Sequence, residues 1–511
     1  MHQATERPRS LVHLLDKARH EITRSDLLNL IESRQIRRIT LHYTGLDSKL
    51  KELKIPLSSR AQAERVLAEG ERVDGSSLFR GLVDSAVSDL YVVPLYKTAF
   101  LNPFEGDSLD FMCRYLDRKG QLAPYTLDSI LHNAMVLFRR QTGLSLYGLG
   151  ELEFFLLSDQ PGALYPNARQ HGYHATAPFV KSGNMVSEMA LLLNEMTGLV
   201  KYAHSEVGGI GSVRSNLEEI KDKHAEQMEI EFLPAPLEEA GDILVLARWL
   251  IRNVAYRHGS VATFAPKLEE GVAGNGLHIH LALHRDGENI MADSEELSST
   301  AKMLIGGLCH YAASLTAFGN TTSSAYLRLV PNQEAPTHIC WSDLNRSALI
   351  RVPLAWNGTK DLAQTLNPQQ HETYSEAGSQ QTVELRSPDG SAIVHLLLAG
   401  IAMAAEWGIN GEKGLAIAEK LYVAGNIFKN EALLKELPVL PVSCVDSAGI
   451  LLNNRALYER SGIFPPSVID YLAQKLRAEN DADINRYLAD LPADDRLLET
   501  RKIMHRDLHR H

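Results

Sequence analysis

The sequence predicts an α+β protein that consists of a small N-terminal domain and a large C-terminal domain. In roughly the first hundred residues, short strand candidates alternate with helix candidates. Beyond residue 120, apolar strands that carry polar residues at alternate positions share the chain with long helices. A basic, glycine-containing stretch at residues 117–121 separates the two patterns. We therefore predict domains at residues 1–120 and 121–511.

The N-terminal domain is predicted from one helical region and three strands. Leucines recur at helical spacing through residues 11–35. Residues 36–43 alternate like a strand, and residues 91–94 and 110–115 are further short strand candidates. The connecting segments are rich in Gly, Ser and Asp, which is typical of loops.

The larger domain is predicted to begin and end with helices. Pro124 and Thr126 are typical of a helix start. The longest apolar run, residues 393–407, is too short to span a bilayer and predicts a buried helix. The chain after Asn410 is expected to be mostly helical, with residues 505–511 as a mobile end.

Composition and charge argue against several classes of protein. The 511 residues include 52 Lys and Arg against 63 Asp and Glu, which gives a net charge of −11. Nucleic acids and anionic membranes both require basic surfaces, so neither is an expected partner. The four cysteines are widely spaced and form no CxxC pair, which argues against a zinc ribbon or a disulfide scaffold. Because the N-terminus also lacks a signal-peptide apolar region, we expect a soluble, cytoplasmic protein.

Four strand candidates carry polar residues at positions i and i+2. Side chains alternate between the two faces of a strand, so such residues point the same way. One strand of this kind is typical of an antiparallel sheet with one wet face. Four in one domain indicate a shared polar cavity. The residues are Glu151 with Glu153, Gln227 with Glu229 and Glu231, His278 with His280, and Glu384 with Arg386.

The clustered carboxylates indicate a cation site. Several carboxylates repel one another unless a counter-charge neutralises them, and hard divalent cations do this with oxygen ligands. A set dominated by Glu with one His suits Mg²⁺ or Mn²⁺ better than zinc or copper.

Arginines in nearby segments indicate an anion site. The planar guanidinium group clamps carboxylates and phosphates with two parallel hydrogen bonds. The sequence contains no P-loop and no GxSxG motif, and the glycines at residues 208–211 are too few for a dinucleotide fingerprint. A bound nucleotide would therefore be held by metals and by arginines. The candidates are Arg328, Arg346, Arg351 and Arg386.

The segments that contain these residues resemble the glutamine synthetase family over most of the chain. The resemblance implies a β-grasp-like N-terminal domain and an α/β catalytic domain whose curved sheet lines a funnel. It also implies a homo-oligomeric ring, commonly a dodecamer of two stacked hexamers, with active sites shared between neighbouring subunits. The matching segments follow the family's order and are residues 74–77, 150–155, 204–206 with 227–229, 263–267, 274–280, 328–331 with 334–336, 345–353 and 384–389.

By this resemblance, six residues would hold metal ions. The implied cofactors are ATP and two to three Mg²⁺ or Mn²⁺ ions. His280 would contact nucleotide phosphate together with Arg351. One metal would be held by Glu153, Glu206 and Glu229, and the other by Glu151, His278 and Glu384.

The resemblance also implies how the acid is bound and activated. Arg328 and Arg386 would hold the carboxylates of L-glutamate, aided by Gly274. Arg346 and Arg351 would stabilise the phosphoryl group during its transfer.

A second group of residues would bind and deprotonate the incoming nitrogen. Glu334 would close over the site and accept a proton from the amine. The ammonium pocket would be formed by Tyr173, Glu206 and Asp74 of the adjacent subunit, with Ser77 close by.

The chain departs from the family pattern at four places. Ala273 stands where the family usually has Asn, and residues 393–395 replace a common Asn-Pro-Tyr. An insertion at residues 207–226 is expected to form a helical excursion beside the funnel, and one at residues 356–382 replaces basic residues expected near the nucleotide. Such changes are typical either of drift at the rim or of a pocket altered for a different amine or acid.

Two ligase activities follow from these observations. The first joins ammonia to the γ-carboxylate of L-glutamate through γ-glutamyl phosphate, and Asp74 and Tyr173 favour it. The second is a γ-glutamyl amide ligase that uses a polyamine, an alkylamine or ethanolamine, and the insertions and Ala273 favour it. A non-catalytic ring protein is disfavoured because all six implied ligands are present, and a guanidino kinase because the acceptor residues fit a carboxylate.

Overall fold

The fold combines two sheets with many helices, which confirms the predicted α+β class. A computed structural model describes residues 10–83, 88–162, 164–166, 170–294, 296–330, 335–355, 361–372, 374 and 378–510. It contains a six-stranded sheet near the N-terminus and a ten-stranded sheet in the remainder. Over these ranges, no helix has both the length and the apolar character needed to cross a membrane.

The N-terminal sheet has the strand order β2-β1-β6-β4-β3, and β5 pairs with β6. Its central pair, β1 and β6, is parallel, whereas the other pairs are antiparallel. The strands are β1 (Arg38–Thr44), β2 (Leu50–Pro56), β3 (Glu71–Asp74), β4 (Asp89–Pro94), β5 (Phe100–Leu101) and β6 (Ser108–Leu116), and the helices are α1 (Leu11–Leu15), α2 (Arg24–Ser33), α3 (Arg60–Glu69) and α4 (Gly75–Leu78).

The three strands predicted for this domain are confirmed as β1, β4 and β6, but β2, β3 and β5 were not predicted. Strand β2 carries Lys51, Glu52 and Lys54 and lies at one edge of the sheet. Charged residues are common on edge strands because they discourage pairing with other chains. The same charges hide the strand from a search for apolar alternation.

The large sheet has the strand order β16-β17-β18-β12-β7-β9-β8, with β10 and β11 paired to β7 and β13 paired to β12. All of these pairs are antiparallel except β16 with β17. A separate ribbon is formed by β14 (Ala292–Asp293) and β15 (Glu296–Leu297). The strands of the large sheet are β7 (Ser145–Ser158), β8 (Val200–Ile210), β9 (His224–Phe232), β10 (Ala235–Pro236), β11 (Val261–Thr263), β12 (Leu277–Arg285), β13 (Glu288–Asn289), β16 (Trp341–Asp343), β17 (Ile350–Val352) and β18 (Val383–Leu385).

Long helices cover one face of this sheet and leave the other face for the site. The apolar run predicted to be a buried helix is α10, which packs on α5, α7 and α8. Helix α7 approaches β7 so closely that a Cβ atom on Gly150 would lie 2.7 Å from the Leu244 side chain. The helices of this part are α5 (Leu127–Thr142), α6 (Gly183–Thr197), α7 (Leu237–Arg257), α8 (Ser299–Gly319), α9 (Ala325–Arg328), α10 (Val394–Asn410), α11 (Gly414–Leu421), α12 (Glu431–Glu436), α13 (Cys444–Asn453), α14 (Ala456–Glu459), α15 (Pro466–Arg477), α16 (Ile484–Ala489) and α17 (Ala493–Arg506).

The C-terminal residues are packed rather than mobile, so the prediction of a mobile end is wrong for residues 505–510. His505 and Leu508 are buried. The Thr263 hydroxyl donates a 2.6 Å hydrogen bond to the Leu508 carbonyl oxygen, and Nε2 of His505 lies 2.9 Å from the Leu268 carbonyl oxygen. The polar residues of this segment therefore find partners inside the fold.

The insertion at residues 207–226 extends two strands instead of forming a helix, so the predicted helical excursion is wrong. Gly209 pairs with Glu226 and Ile210 with Ala225, and a single turn follows in residues 211–223. Val213 and Ile220 of this turn are buried in a small apolar cluster that includes Leu508. Packing against the C-terminal segment therefore stabilises the extended hairpin.

A buried ionic contact joins the two sheets through helix α7. Arg114 of β6 donates hydrogen bonds of 3.1 and 2.6 Å to the two carboxylate oxygens of Asp242 in α7. Nε2 of His395 in α10 lies 3.2 Å from the same carboxylate. This contact gives a structural reason for the departure at residues 393–395.

Candidate active site

Strand register places the polar residues of the large sheet in three rows. In the first, named the Glu153 row, His204 pairs with Glu229 and Glu229 pairs with Glu153. The second, named the Glu151 row, contains Tyr202, Glu231, Glu151 and His278. The third, named the His280 row, contains Leu149, His280, Glu384 and Arg351.

These rows line one cavity of about 1260 Å³. The cavity brings together most of the residues that the sequence predicted for the site, although they come from distant parts of the chain. Those lining it are Glu151, Glu153, Tyr173, Glu206, Glu229, Gly274, His278, His280, Arg328, Arg346, Arg351, Glu384 and Arg386.

One predicted set of metal ligands converges in the cavity. Glu151, His278 and Glu384 each offer a ligand atom, and these atoms lie within 4.8 Å of one another. Nδ1 of His278 is 2.8 Å from Glu151 Oε2 and 3.5 Å from Glu384 Oε1. The three side chains can therefore reach a single cation.

A second convergent set contains a histidine that the sequence analysis did not assign. His204, Glu206 and Glu229 also offer ligand atoms within 4.8 Å of one another. A β-bulge in β8 between Ser205 and Gly209 interrupts the pairing around Glu206. His204 and Glu206 occupy positions i and i+2 of one strand. The alternation that predicted polar residues on the other strands therefore also points to His204.

Glu153 is held beside this second set by two hydrogen bonds to one carboxylate oxygen. Nε2 of Gln227 donates at 3.0 Å and the backbone amide of Gly276 donates at 2.8 Å. Gln227 also donates to the Gly274 carbonyl oxygen at 3.0 Å and accepts from the Gly208 amide at 2.9 Å. Gln227 thus connects a predicted metal ligand to the loop that contains Gly274.

The carboxylates repel one another in the absence of a cation. Burial raises the pKa of Glu229 well above its usual range, and the charges of Glu151 and Glu153 raise it further. Burial also opposes ionisation of Glu151, but His280 and His278 hold its pKa well below the usual range. The donor set, oxygen-rich with one or two imidazoles, fits Mg²⁺ or Mn²⁺.

Three of the predicted arginines are anchored around the same cavity. Nη1 of Arg351 donates to Glu384 Oε2 at 2.9 Å, and Nε of Arg386 donates to Glu384 Oε1 at 3.0 Å. Nη1 of Arg328 donates to the Ser387 carbonyl oxygen at 3.0 Å. These bonds hold the guanidinium groups beside the carboxylates.

Gly274 and Arg346 occupy the wall near these arginines. A Cβ atom on Gly274 would lie 3.2 Å from Cγ of Arg328 and would meet the Pro266 carbonyl oxygen. Only glycine therefore fits so close to this arginine. Burial lowers the pKa of Arg346, but a hydrogen bond with Tyr173 and nearby negative charges outweigh burial and raise that pKa.

Tyrosine and histidine rings contact one another on the same wall. The rings of Tyr173 and His174 are stacked with centroids 4.3 Å apart, and those of His174 and His204 are 4.1 Å apart. The ring of Tyr202 is 5.7 Å from that of His204. All four residues line the cavity.

Three predicted site residues are not among the cavity-lining residues. Asp74 and Ser77 lie on the N-terminal sheet side, where Ser77 Oγ donates a 2.6 Å hydrogen bond to Asp74 Oδ2. This bond and those from Ser76 lower the pKa of Asp74 well below its usual range. Glu334 lies outside the described residues.

The departures from the family pattern differ in their relation to the cavity. Ala273 lines it, as do Ser379, Gln380 and Thr382 from the described part of the second insertion. From residues 207–226, Val207 alone lines the cavity within the described part of the chain. Most of the first insertion therefore lies away from the site.

Comparisons with known proteins agree with this fold. Residues 35–118 match the family model for the glutamine synthetase β-grasp domain, and residues 129–487 match the model for the glutamine synthetase catalytic domain. The predicted boundary at residue 120 lies between these ranges and stays a prediction.

Curated relatives cover most of the chain. A glutamine synthetase of Halobacterium salinarum is 32% identical over 409 residues, which span 78% of this chain and 81% of the relative. A glutamine synthetase of Thermococcus kodakarensis is 29% identical over 488 residues, 94% of this chain and 97% of the relative.

Solved structures share the fold at lower identity. The Plasmodium falciparum glutamine synthetase superposes with a TM-score of 0.71 at 19% identity and covers 93% of this chain and 98% of its own. A GmaS complex with ADP superposes with a TM-score of 0.69 at 21% identity and covers 92% and 98%.

The fold and the matched models define an ATP-dependent ligase. The chain belongs to the glutamine synthetase family.

Proposed function

We propose that the enzyme joins ammonia to the γ-carboxylate of L-glutamate and converts ATP to ADP and phosphate. Two groups of possible metal ligands and four arginines line one cavity, and this observation carries the proposal. A binding protein has no need for such closely spaced opposite charges, whereas transfer of a phosphoryl group to a carboxylate requires both.

The acid substrate is bound by the guanidinium groups of Arg328 and Arg386, close to Gly274. Both arginines are buried and lie beside the Glu384 carboxylate or the backbone that follows it. A carboxylate is a poor electrophile, so one γ-carboxylate oxygen first attacks the terminal phosphorus of ATP and forms γ-glutamyl phosphate. ADP leaves from the opposite side.

Arg346 and Arg351 stabilise the phosphoryl group while it moves, and His280 contacts the nucleotide phosphates. Glu151, His278 and Glu384 would hold one Mg²⁺ or Mn²⁺ ion, and Glu206 and Glu229 would hold another. When bound, these ions would neutralise further phosphate charge. Glu153 lies beside Glu206 and Glu229 and would join them after a change of its side-chain conformation.

The nitrogen nucleophile is bound where Tyr173 and Glu206 face the cavity. Asp74 of the neighbouring subunit completes this pocket, because Asp74 of the same chain does not line it. Ammonium loses one proton to a carboxylate of this pocket, and the ammonia attacks the acyl phosphate carbon. For the second proton, which the adduct loses, we propose Glu334 as the acceptor. Phosphate leaves and glutamine remains.

This mechanism requires an assembly, so we propose a homo-oligomeric ring, a dodecamer by resemblance to the family. The proposed setting is glutamine biosynthesis in the cytoplasm.

The test is phosphate release by the purified full-length enzyme with Mg²⁺, ATP and L-glutamate. Ammonium, methylamine, ethanolamine and putrescine are compared as acceptors. We expect the highest kcat/KM with ammonium. The Arg328→Met variant should lose the activity, and Arg285→Met, at an exposed position on β12, serves as the matched control. Release no greater than from ATP alone with every acceptor would contradict the proposal.

A second candidate is a γ-glutamyl amide ligase that uses a primary amine. The cavity-lining ring of Tyr173, which packs on His174, favours it, because the face of a tyrosine ring attracts organic ammonium groups. The first insertion, which suggested this candidate from the sequence, lies mostly outside the cavity. A kcat/KM at least about tenfold higher for one amine than for ammonium would replace the first proposal by this one.

A further inference from the structure

A lysine and a glutamate pair on the cavity wall without a role in the proposed reaction. Nζ of Lys201 lies 2.7 Å from Glu231 Oε1. The Glu231 side chain is 2% exposed, whereas that of Lys201 is 43% exposed. Both residues line the cavity, and Lys201 Nζ lies 5.0 Å from the centre of the Tyr202 ring. The lysine is therefore a cation whose head remains open to the cavity.

A β-bulge brings this lysine to the wall. Along β8 and β9, Val200 pairs with Phe232 and Tyr202 pairs with Glu231, so Lys201 is the extra residue. In a regular strand, Lys201 and Tyr202 would point to opposite faces. Bulges are common beside active sites because they redirect a side chain in this way.

The position of Lys201 along the cavity matches the non-transferred part of the nucleotide. Arg328 lies beside the Glu153 row, since a Cβ atom on Gly276 would be 2.9 Å from Arg328 Nη2 and 3.1 Å from Glu153 Oε1. Lys201 lies beyond the Glu151 row, on the side away from Arg328. If the acid is bound at Arg328 and phosphoryl transfer occurs between the carboxylates, the rest of ATP extends toward Lys201.

The second insertion adds little positive charge to the opposite wall, where Arg351 is already assigned to the transferred phosphoryl group. Residues 356–382 contain a single Lys or Arg, Lys360. Within the described part of this segment, the residues that line the cavity are uncharged: Ser379, Gln380 and Thr382. A polyphosphate chain bound here therefore requires a cation from another element.

We propose that Lys201 binds the non-transferred phosphates of the nucleotide and exchanges its contact with Glu231 for them. The inference rests on the proposed function, because it assumes that a nucleoside triphosphate enters this cavity. Lys201 then favours di- and triphosphates over monophosphates, and Glu231 holds the lysine in place while the site is empty of nucleotide.

Calorimetric binding of ADP and AMP to the full-length enzyme in Mg²⁺ tests this inference. Lys201→Met should weaken ADP binding about 10- to 100-fold, as expected for one charge-assisted hydrogen bond, and should change AMP binding less than about threefold. Lys201→Arg keeps the charge and should stay within about threefold of the wild type for both nucleotides.

Two further variants separate phosphate binding from simple neutralisation of Glu231. Glu231→Gln frees the lysine and should tighten ADP binding, and the double variant Lys201→Met/Glu231→Gln should bind ADP as weakly as Lys201→Met. Restoration of wild-type ADP affinity in the double variant would overturn the inference, because Lys201 would then serve Glu231 alone. Melting temperatures of all variants identify any that fail to fold.

The outcomes for the wild type distinguish this inference from the proposed function. If the wild type binds neither nucleotide in Mg²⁺, the proposed function fails and the inference falls with it. If the wild type binds ADP and Lys201→Met binds it equally well, the inference alone is overturned.

Discussion

Glu384 connects the cation-binding and anion-binding parts of the cavity. One carboxylate oxygen accepts a hydrogen bond from Arg351 and the other from Arg386, and the latter oxygen is 3.5 Å from His278 Nδ1. Burial opposes its charge, but His280 and His278 hold the pKa of Glu384 below its usual range. The residue is thus ionised and ready to bind a cation while it orients two arginines.

Replacing Glu384 by Gln should remove a metal ligand and release both arginines. We expect at least about a 100-fold loss of kcat and at least about tenfold weaker Mn²⁺ binding. Loss of a hydrogen-bond partner of a metal ligand already weakens metal binding or activity about 10- to 100-fold, and loss of a ligand should cost at least as much. Electron paramagnetic resonance of Mn²⁺ and phosphate release measure the two effects. Glu218→Gln, at a side chain that is 89% exposed, is the control. Unchanged Mn²⁺ affinity in Glu384→Gln would contradict the assignment.

At the scale of residues, alternation along the strands predicted the carboxylates of the rows but not every contact between them. Glu151, Glu153 and Glu229 follow from a period of two. The contact of Gln227 with Glu153 and Gly274 does not, because it joins three segments that are far apart in the chain. The bulges in β8 that affect Lys201 and Glu206 also break the alternation on which the prediction relied.

At the scale of elements, helix α7 joins the N-terminal sheet to the large sheet through a buried ionic contact. Burial disfavours the charge of Asp242, but Arg114 and His395 hold its pKa at about 2. The unfolded chain has a pKa near 3.9 at this residue. The contact therefore contributes on the order of 2 kcal/mol above pH 4, and this contribution is lost as the pH falls from about 4 toward 2.

Asp242→Asn should lower the stability of the enzyme by about 3 kcal/mol at pH 7, because the buried Arg114 loses its hydrogen-bonded counter-charge and keeps only the more distant Asp128, whose Oδ2 lies 3.9 Å from Nε. The difference in melting temperature between Asp242→Asn and the wild type should become smaller as the pH falls. About half of the part of this difference that depends on pH should be lost by pH 3. Asp89→Asn, in an ion pair with Arg72 whose side chains are 64% and 65% exposed, should change stability by less than about 1 kcal/mol. A difference that does not change with pH would contradict the role of Asp242.

Helices and apolar strands were predictable from the sequence, whereas the C-terminal segment was not. The sequence predicted a mobile end at residues 505–511, but residues 505–510 and helix α17 contact residues far away in the chain. Arg501 of α17 donates to Glu269 at 2.8 and 2.9 Å on the loop before Gly274, and Met504 packs with Leu327 next to Arg328. The helix thus supports two loops of the site, which no local pattern reveals.

At the scale of the whole molecule, the proposed site is divided between the large sheet and Asp74 on the N-terminal sheet. The exposed Asp74 does not line the cavity of its own chain within the described residues. The sequence predicted this division by resemblance, and the position of Asp74 is compatible with a site completed by a neighbour in a ring.

Mixed oligomers test the shared site. Asp74→Asn and Glu384→Gln homo-oligomers should each be nearly inactive. Co-expressed in equal amounts, they should recover about a quarter of wild-type activity, because a random ring places an intact catalytic domain beside an intact Asp74 in about one site of four. Mixing the same proteins after purification, without subunit exchange, is the control. No recovery in co-expressed oligomers would show that both residues act within one chain.

Transfer of oxygen from the acid to phosphate tests the proposed chemistry most directly. L-Glutamate labelled with ¹⁸O in both γ-carboxylate oxygens is incubated with the enzyme, Mg²⁺, ATP and ammonium, and the released phosphate is analysed by mass spectrometry. Formation of γ-glutamyl phosphate followed by amine attack predicts one ¹⁸O atom in each phosphate. Phosphate that contains no ¹⁸O would contradict it, because ATP would then be hydrolysed by water and the carboxylate would never be activated.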